Sequence, residues 1–178
     1  APDEMPAVKT VGGKDLKCNA ADPACLRIFK ISIEEHLGEI AFFKVYGGEI
    51  TEAMDLVNSS NSGKERIPQL LLVAGKKREK IEKVCAGDIA ATIKLKSTRT
   101  GDTLNSAKNA DDVIVPIAFP APKISMAIKA KNSGDDEKLG ARLNEMHKVD
   151  QTLLVEYSKE LKQVIIKGQG ELHLNIAK

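Results

Sequence analysis

Residues 119–131 read FPAPKISMAIKAK, and the chain changes its grammar within them. Pro120 and Pro122 fix their own backbone angles and push the residue before each out of the helical region, so the segment reads as an extended linker. Ahead of it, short apolar runs alternate with glycine turns. Behind it, Ile124, Met126 and Ile128 alternate as a strand and a helical pattern follows. Two domains are expected, 1–119 and 120–178.

Upstream, GEIAFFKVYGGEI sets Ala41, Phe43 and Val45 on one face and Ile40, Phe42 and Tyr46 on the other, with Gly47-Gly48 as a turn, which is the pattern of a hairpin. AGDIAATIKL places Ile89, Ala91, Ile93 and Leu95 against Asp88, Thr92 and Lys94, a strand with one buried face. A further apolar run, Val113 to Phe119, closes the region. Many short strands with glycine turns imply a closed barrel or a sandwich.

Downstream, NSGDDEKLGARLNEMHKV carries Leu139, Leu143 and Met146 at helical spacing, with Ser133 placed to cap and Asp135 and Asp136 at the favourable end of the helix dipole. TLLVEYS and QVIIKG follow as strands, then a glycine turn at Gly168 and Gly170 and the start of a second helix. The order is β-α-β-β-α. A ferredoxin-like unit has one more strand, so this domain reads as truncated within its last helix, along which Leu172 and Ile176 form an uncovered strip.

The 178 residues are 42% hydrophobic, as a globular chain should be, and only 3% aromatic with no Trp, so aliphatic side chains must fill the cores. So few aromatics argue against a surface that stacks single-stranded bases. The 27 basic and 25 acidic residues leave a formal charge of +2, which gives no bulk attraction to nucleic acid. Any RNA contact must be local. Cys18, Cys25 and Cys85 are an odd number without zinc-ligand spacing, and His36, His147 and His173 are scattered, so the thiols read as buried or loop residues in a reducing, cytoplasmic setting and no metal site is expected. No apolar run approaches the ~20 residues of a membrane span.

No phosphate-binding loop is present. The nearest approach, Gly63-Lys64, has Asn58 where the first glycine belongs and Glu65 where the magnesium-binding hydroxyl belongs. No nucleophile elbow exists either. The chain is therefore expected to be no enzyme by itself and to bind no cofactor. GKKREKIEK gathers Lys76, Lys77 and Arg78 with Lys80 and Lys83, a run that reads first as a solvated face and second as a phosphate contact. His173 lies in the first turn of the last helix, where the dipole disfavours a charged imidazole, so packing or hydrogen bonding is expected of it and not acid catalysis.

FFKVYGGEI, NSGKERIPQLLLVAGKKREKIEKVCAGDIAATIKL, TGDTL, FPAPKISMAIKAK, DDEKLGARLNEM and GQGELHLNI stand in an order and spacing that closely resemble domains II and III of bacterial elongation factor G. FKI at Phe29–Ile31 and the opening PDEMPAV, similar to the linker leaving that family's GTPase domain, extend the resemblance over nearly the whole chain. It implies a mixed β and α+β fold: a translational-GTPase β-barrel followed by a truncated ferredoxin-like domain. It also implies a parent protein with GTP and Mg in a GTPase domain ahead of this segment, with tip domains behind it, acting in GTP-dependent translocation on the ribosome.

The barrel would reach small-subunit RNA and proteins, with Lys76, Lys77 and Arg78 as possible contacts. Gly168, Gly170, Glu171 and His173 would face the GTPase domain. Three departures stand out: the family's DPTF is Asp150-Gln151-Thr152-Leu153, the methionine between its glycines is Gln169, and the glutamate after LHL is Asn175. They point to a diverged paralogue or a lineage variant. The alternatives are a factor for ribosome recycling, back-translocation or ribosome protection, or a stand-alone RNA- or protein-binding module.

Overall fold

The structure, a computed structural model, describes residues 5–75, 77–130, 132, 134–160 and 163–178. The chain divides into two compact units, Ala1–Ile117 and Ala118–Lys178.

The first unit holds β1 (Val8–Lys9), β2 (Asp15–Leu16), β3 (Cys25–Glu34), β4 (Gly38–Gly47), β5 (Glu49–Thr51), β6 (Asp55–Asn58), β7 (Gly63–Arg66), β8 (Leu70–Ala74), β9 (Lys77–Ile81), β10 (Lys83–Cys85), β11 (Ile89–Ile93) and β12 (Thr103–Asn105). Eight of them form one antiparallel sheet in the order β7-β6-β12-β3-β4-β11-β8-β9, while β10 pairs with β5 and β1 with β2. Leu56 of β6 and Leu70 of β8 lie toward opposite ends of that order yet share one core with Leu26, Ile28, Phe43, Val45, Ile50 and Leu104. The sheet is therefore curled around its own apolar face, as a barrel requires.

The expected alternation in β4 is present. Ala41, Phe43 and Val45 point into the core, and Ile40 lies in a second cluster that Phe42 helps to cover. The hairpin, however, is β3–β4, joined by residues 35–37, and Gly47-Gly48 leads instead into β5. Those glycines are needed for a close approach: a Cβ on Gly47 would sit 2.6 Å from the Pro23 carbonyl oxygen, and Gly48, at φ +66°, would meet the Asp22 carbonyl at 2.7 Å.

Two further expectations are corrected. β11 is covered on both faces: Ala90 lies in the main core, Ala91 and Ile93 lie in the second cluster, and Ile89 is exposed. Lys94 at φ +58° then reverses the alternation and returns Leu95 to the main core. The run from Val113 to Phe119 forms no strand. Only Ile114 bridges, to Thr10, and is buried, while Val115, Ile117 and Phe119 are exposed.

The second unit contains β13 (Ile124–Ile128), α1 (Asp136–Val149), β14 (Leu154–Ser158), β15 (Gln163–Gly168) and α2 (Glu171–Ala177), in the expected order. Its antiparallel sheet runs β13-β15-β14. Leu143 of α1, Leu153, Ile166 of β15 and Leu174 of α2 are its fully buried apolar residues among those described, ringed by Met126, Ile128, Leu139 and Val155. One face of the sheet thus receives both helices. Ser133 lies outside the described residues. The N-cap of α1 is Asp135, whose side chain makes no capping bond and pairs with Lys138 at 2.8 Å. Leu172 and Ile176 are about three-quarters exposed, at 74% and 75%.

Candidate functional site

The four residues expected at an interface, Gly168, Gly170, Glu171 and His173, lie together where β15 turns into α2. Gly168 ends the strand, and a Cβ there would stand 2.7 Å from Leu174 Cδ2 and 2.8 Å from His173 Nδ1, so the helix packs directly on bare backbone. Gly170 is the N-cap in an extended conformation. Glu171 is exposed in the first turn, where a carboxylate complements the helix dipole.

His173 is engaged through both ring nitrogens. The Gln169 amide donates to Nδ1 at 3.1 Å, and because an amide can only donate, Nδ1 carries no proton. Nε2 then bears it and donates to Asp150 Oδ2 at 3.0 Å. Asp150 Oδ1 accepts the Thr152 amide at 2.8 Å and the Thr152 hydroxyl at 2.6 Å. Burial pushes the Asp150 carboxyl upward, but the two Thr152 bonds and His173 outweigh it and hold the group below the usual carboxylate range. Since Asp150 is also the C-cap of α1, its amide bonded to the Met146 carbonyl, this contact ties the end of one helix to the start of the other.

The arrangement fixes geometry. With both imidazole nitrogens occupied, none remains to activate a nucleophile. Gln169 adds a tether that the sequence did not reveal: its side-chain amide donates to the carbonyls of Pro120 at 3.0 Å and Ala121 at 3.1 Å. The other departures also fit their places. Gln151 donates to the His147 carbonyl at 3.0 Å, Leu153 is buried in the core, and Asn175 is exposed on α2.

The basic run is less concentrated than it reads. It forms the β8–β9 hairpin around Gly75, at φ +61°. Lys76 lies outside the described residues. Arg78 forms an ion pair with Glu34, Lys80 with Glu52 at 2.9 Å, and Lys83 with Glu49 at 3.3 Å. Lys77 is exposed and makes no ion pair among the described residues. Lys77 and Arg78 share a strand but no common cradle.

A different basic surface lies on β3 and β4. Register places Arg27 opposite Lys44 and Lys30 opposite Phe42, with a bulge at Phe29 between them. Lys30 Nζ stands 5.7 Å from the Phe42 ring centroid, Lys44 Nζ 5.6 Å from that of Tyr46, and the Phe29 and Phe42 centroids are 6.4 Å apart. Half of the chain's four Phe and two Tyr thus gather beside three cations. Overall composition concealed this; the alternation Phe42-Lys44-Tyr46 was the local signal.

Among the described residues no group of three His, Cys, Asp or Glu could hold a metal, and no helix is long and apolar enough to cross a membrane. The three cysteines are free thiols; burial pushes Cys25 up to about 12.

Residues 23–107 match the family model described as elongation factor G domain 2, and residues 119–178 match that of elongation factor G, domain III. Among solved structures, a crystal structure of a protein from Thermus thermophilus matches with a TM-score of 0.73 and 27% sequence identity. The match covers 88% of this chain and 24% of that one, so this chain spans about a quarter of its length.

Proposed function

Because the chain belongs to the elongation factor G family, whose domains 2 and III it carries in tandem, we propose that it works as the central part of a ribosome-bound translational GTPase that drives GTP-dependent translocation. The observation that carries this reading is the tandem itself: a barrel and a ferredoxin-like unit in the family's order, joined through the Pro120–Pro122 linker. The barrel supplies ribosome contacts, with Lys77, which makes no ion pair among the described residues, presented at the β8–β9 hairpin beside Arg78, which Glu34 holds. The Gly168–His173 corner meets the GTPase domain, and its preset hydrogen bonds let it report a small displacement there without first reorganising. GTP and Mg are held by the family's GTPase domain and not by these residues, and the setting is the cytoplasm.

Such coupling is a population shift: the GTP state must favour one arrangement of the corner over another. Co-sedimentation with ribosomes tests the reading. The chain is expected to pellet with ribosomes at low salt and to be displaced by intact elongation factor G. Failure to pellet, or pelleting that excess elongation factor G leaves unchanged, overturns it.

A further inference from the structure

On the barrel a cavity of about 280 Å³ opens between Arg27, Phe29, Lys44, Tyr46, Ile89 and Ile117. Among the described residues two cations line it and no acid does. Arg27 and Lys44 face each other across the β3–β4 ladder, an arrangement of like charges that is destabilising unless an anion stands between or above them. The Arg27 Nε and Nη2 atoms are shielded from solvent and meet no acceptor, and they are the only charged side-chain atoms in that condition among the described residues. Buried donors are nearly always satisfied, so this pair calls for a missing acceptor. Lys44 has no carboxylate partner among the described residues either: its ammonium lies over the Tyr46 ring and 3.2 Å from Met5 Sδ.

The remaining walls are apolar. Ile89 is 54% exposed and Phe29 38%, with Ile117 beside them. A ligand that satisfies the whole cavity must therefore bring an anion with several acceptor oxygens together with a flat apolar body, in a volume near the small end of ligand sites. Phosphate matches the guanidinium fork and the ammonium point charge. A nucleobase matches an aromatic and aliphatic wall edged by cations.

We infer that this cavity takes a single nucleotide unit, its phosphate on Arg27 and Lys44 and its base against Phe29 and Tyr46. Only the source of that nucleotide rests on the reading as a ribosome-bound factor, which favours an unstacked nucleotide of an RNA strand over a free one.

The test uses the full 178-residue chain. Its ¹H–¹⁵N spectrum is followed at the Arg27 Nε–H during titration with adenosine monophosphate, uridine monophosphate, inorganic phosphate and a ten-residue oligouridylate; no variant is needed for this arm. The signal is expected to move with the oligonucleotide. Movement with the monophosphates as well identifies a site for the nucleotide alone, and movement with the strand only identifies a strand-bound nucleotide. In fluorescence anisotropy, Arg27→Gln and Lys44→Gln should each weaken oligonucleotide binding about 10-fold. Each should also reduce the salt slope by roughly 0.7, while Lys159→Gln, on an exposed turn of the other unit, changes neither.

An unmoved Arg27 signal, equal affinity after Arg27→Gln, inorganic phosphate binding as well as the nucleotides, or displacement by an oligoglutamate peptide but not by RNA overturns the inference. Ribosome co-sedimentation separates the two claims. If the chain pellets with ribosomes while the Arg27 signal stays still in every nucleotide titration, only this inference fails. If Arg27 responds to nucleotide while the chain ignores ribosomes, only the functional reading fails.

Discussion

Replacing Gln169 by methionine, the residue usual at that place in the family, isolates one tether. The side chain keeps its length, and the Gln169 main-chain bond to His173 is untouched. What is lost is donation to the Pro120 and Ala121 carbonyls. A neutral hydrogen bond contributes about 0.5–1.5 kcal/mol net, and at this exposed position, where water replaces the donor, the low end applies. The two together are worth about 1 kcal/mol, or roughly a fivefold change in a local opening constant.

The reporter is the Lys123 amide, which donates to the Gly168 carbonyl at 2.8 Å just beyond the tethered residues. In native-state hydrogen exchange it should exchange about fivefold faster in Gln169→Met, while Ile166 in the central strand is unchanged. Gln169→Glu, which cannot donate at neutral pH, should reproduce the effect. Unchanged exchange at Lys123, or equal acceleration throughout β15, refutes the reasoning: the first would mean the bonds hold nothing, the second that they support the whole unit.

Glu65 offers a pH-dependent test. Its buried carboxylate accepts the Lys96 amide at 2.9 Å, the Ser97 amide and hydroxyl at 2.7 and 3.1 Å, and the Thr98 hydroxyl at 2.9 Å. Burial raises its pKa, but these donors together depress it. The carboxylate therefore stabilises the fold fully above the unfolded glutamate pKa of about 4.3, and that contribution is lost as pH falls through the depressed folded value. Glu65→Gln turns one acceptor into a donor facing donors and should cost about 2 kcal/mol at pH 7, a fall in Tm of roughly 4–8 °C. The gap from wild type should close in acid; a constant gap at pH 7 and pH 3 would show that charge is not the cause. In the second unit, Leu174→Ala opens a core whose described residues include only four that are fully buried and should cost about 2–5 kcal/mol. Exchange should then accelerate across β15 and α2 while the barrel amides around Phe43 keep their protection.

Much of the second unit was legible. Prolines, alternation in β13 and the 3.6-residue spacing of Leu139, Leu143 and Met146 are local restrictions on backbone and burial, and they give the same answer wherever the segment sits. In the barrel, alternation identified β4 correctly but not its partner, because strand pairing follows from the collapse of the sheet and not from any one strand. It failed at β11, which is buried on both sides, and past Lys94, where one left-handed residue reversed the faces. The Val113–Phe119 run was apolar enough for a strand yet found a pairing partner only at Ile114.

The sequence by itself determined the two-domain order, the elements of the second unit, the absence of a phosphate-binding loop and, through separated motifs, the family. Only the tertiary structure decided which charges are spent and which are free. Arg78 is spent on Glu34, 44 residues away, and Asp150 is joined to His173 across 23. Arg27 is set opposite Lys44 with the Nε and Nη2 of its guanidinium unsatisfied. The physical reason is range. Backbone sterics and side-chain alternation act between neighbours in the chain and are written there, whereas ion pairing and desolvation depend on distance in space and are fixed only when the register of the sheet is.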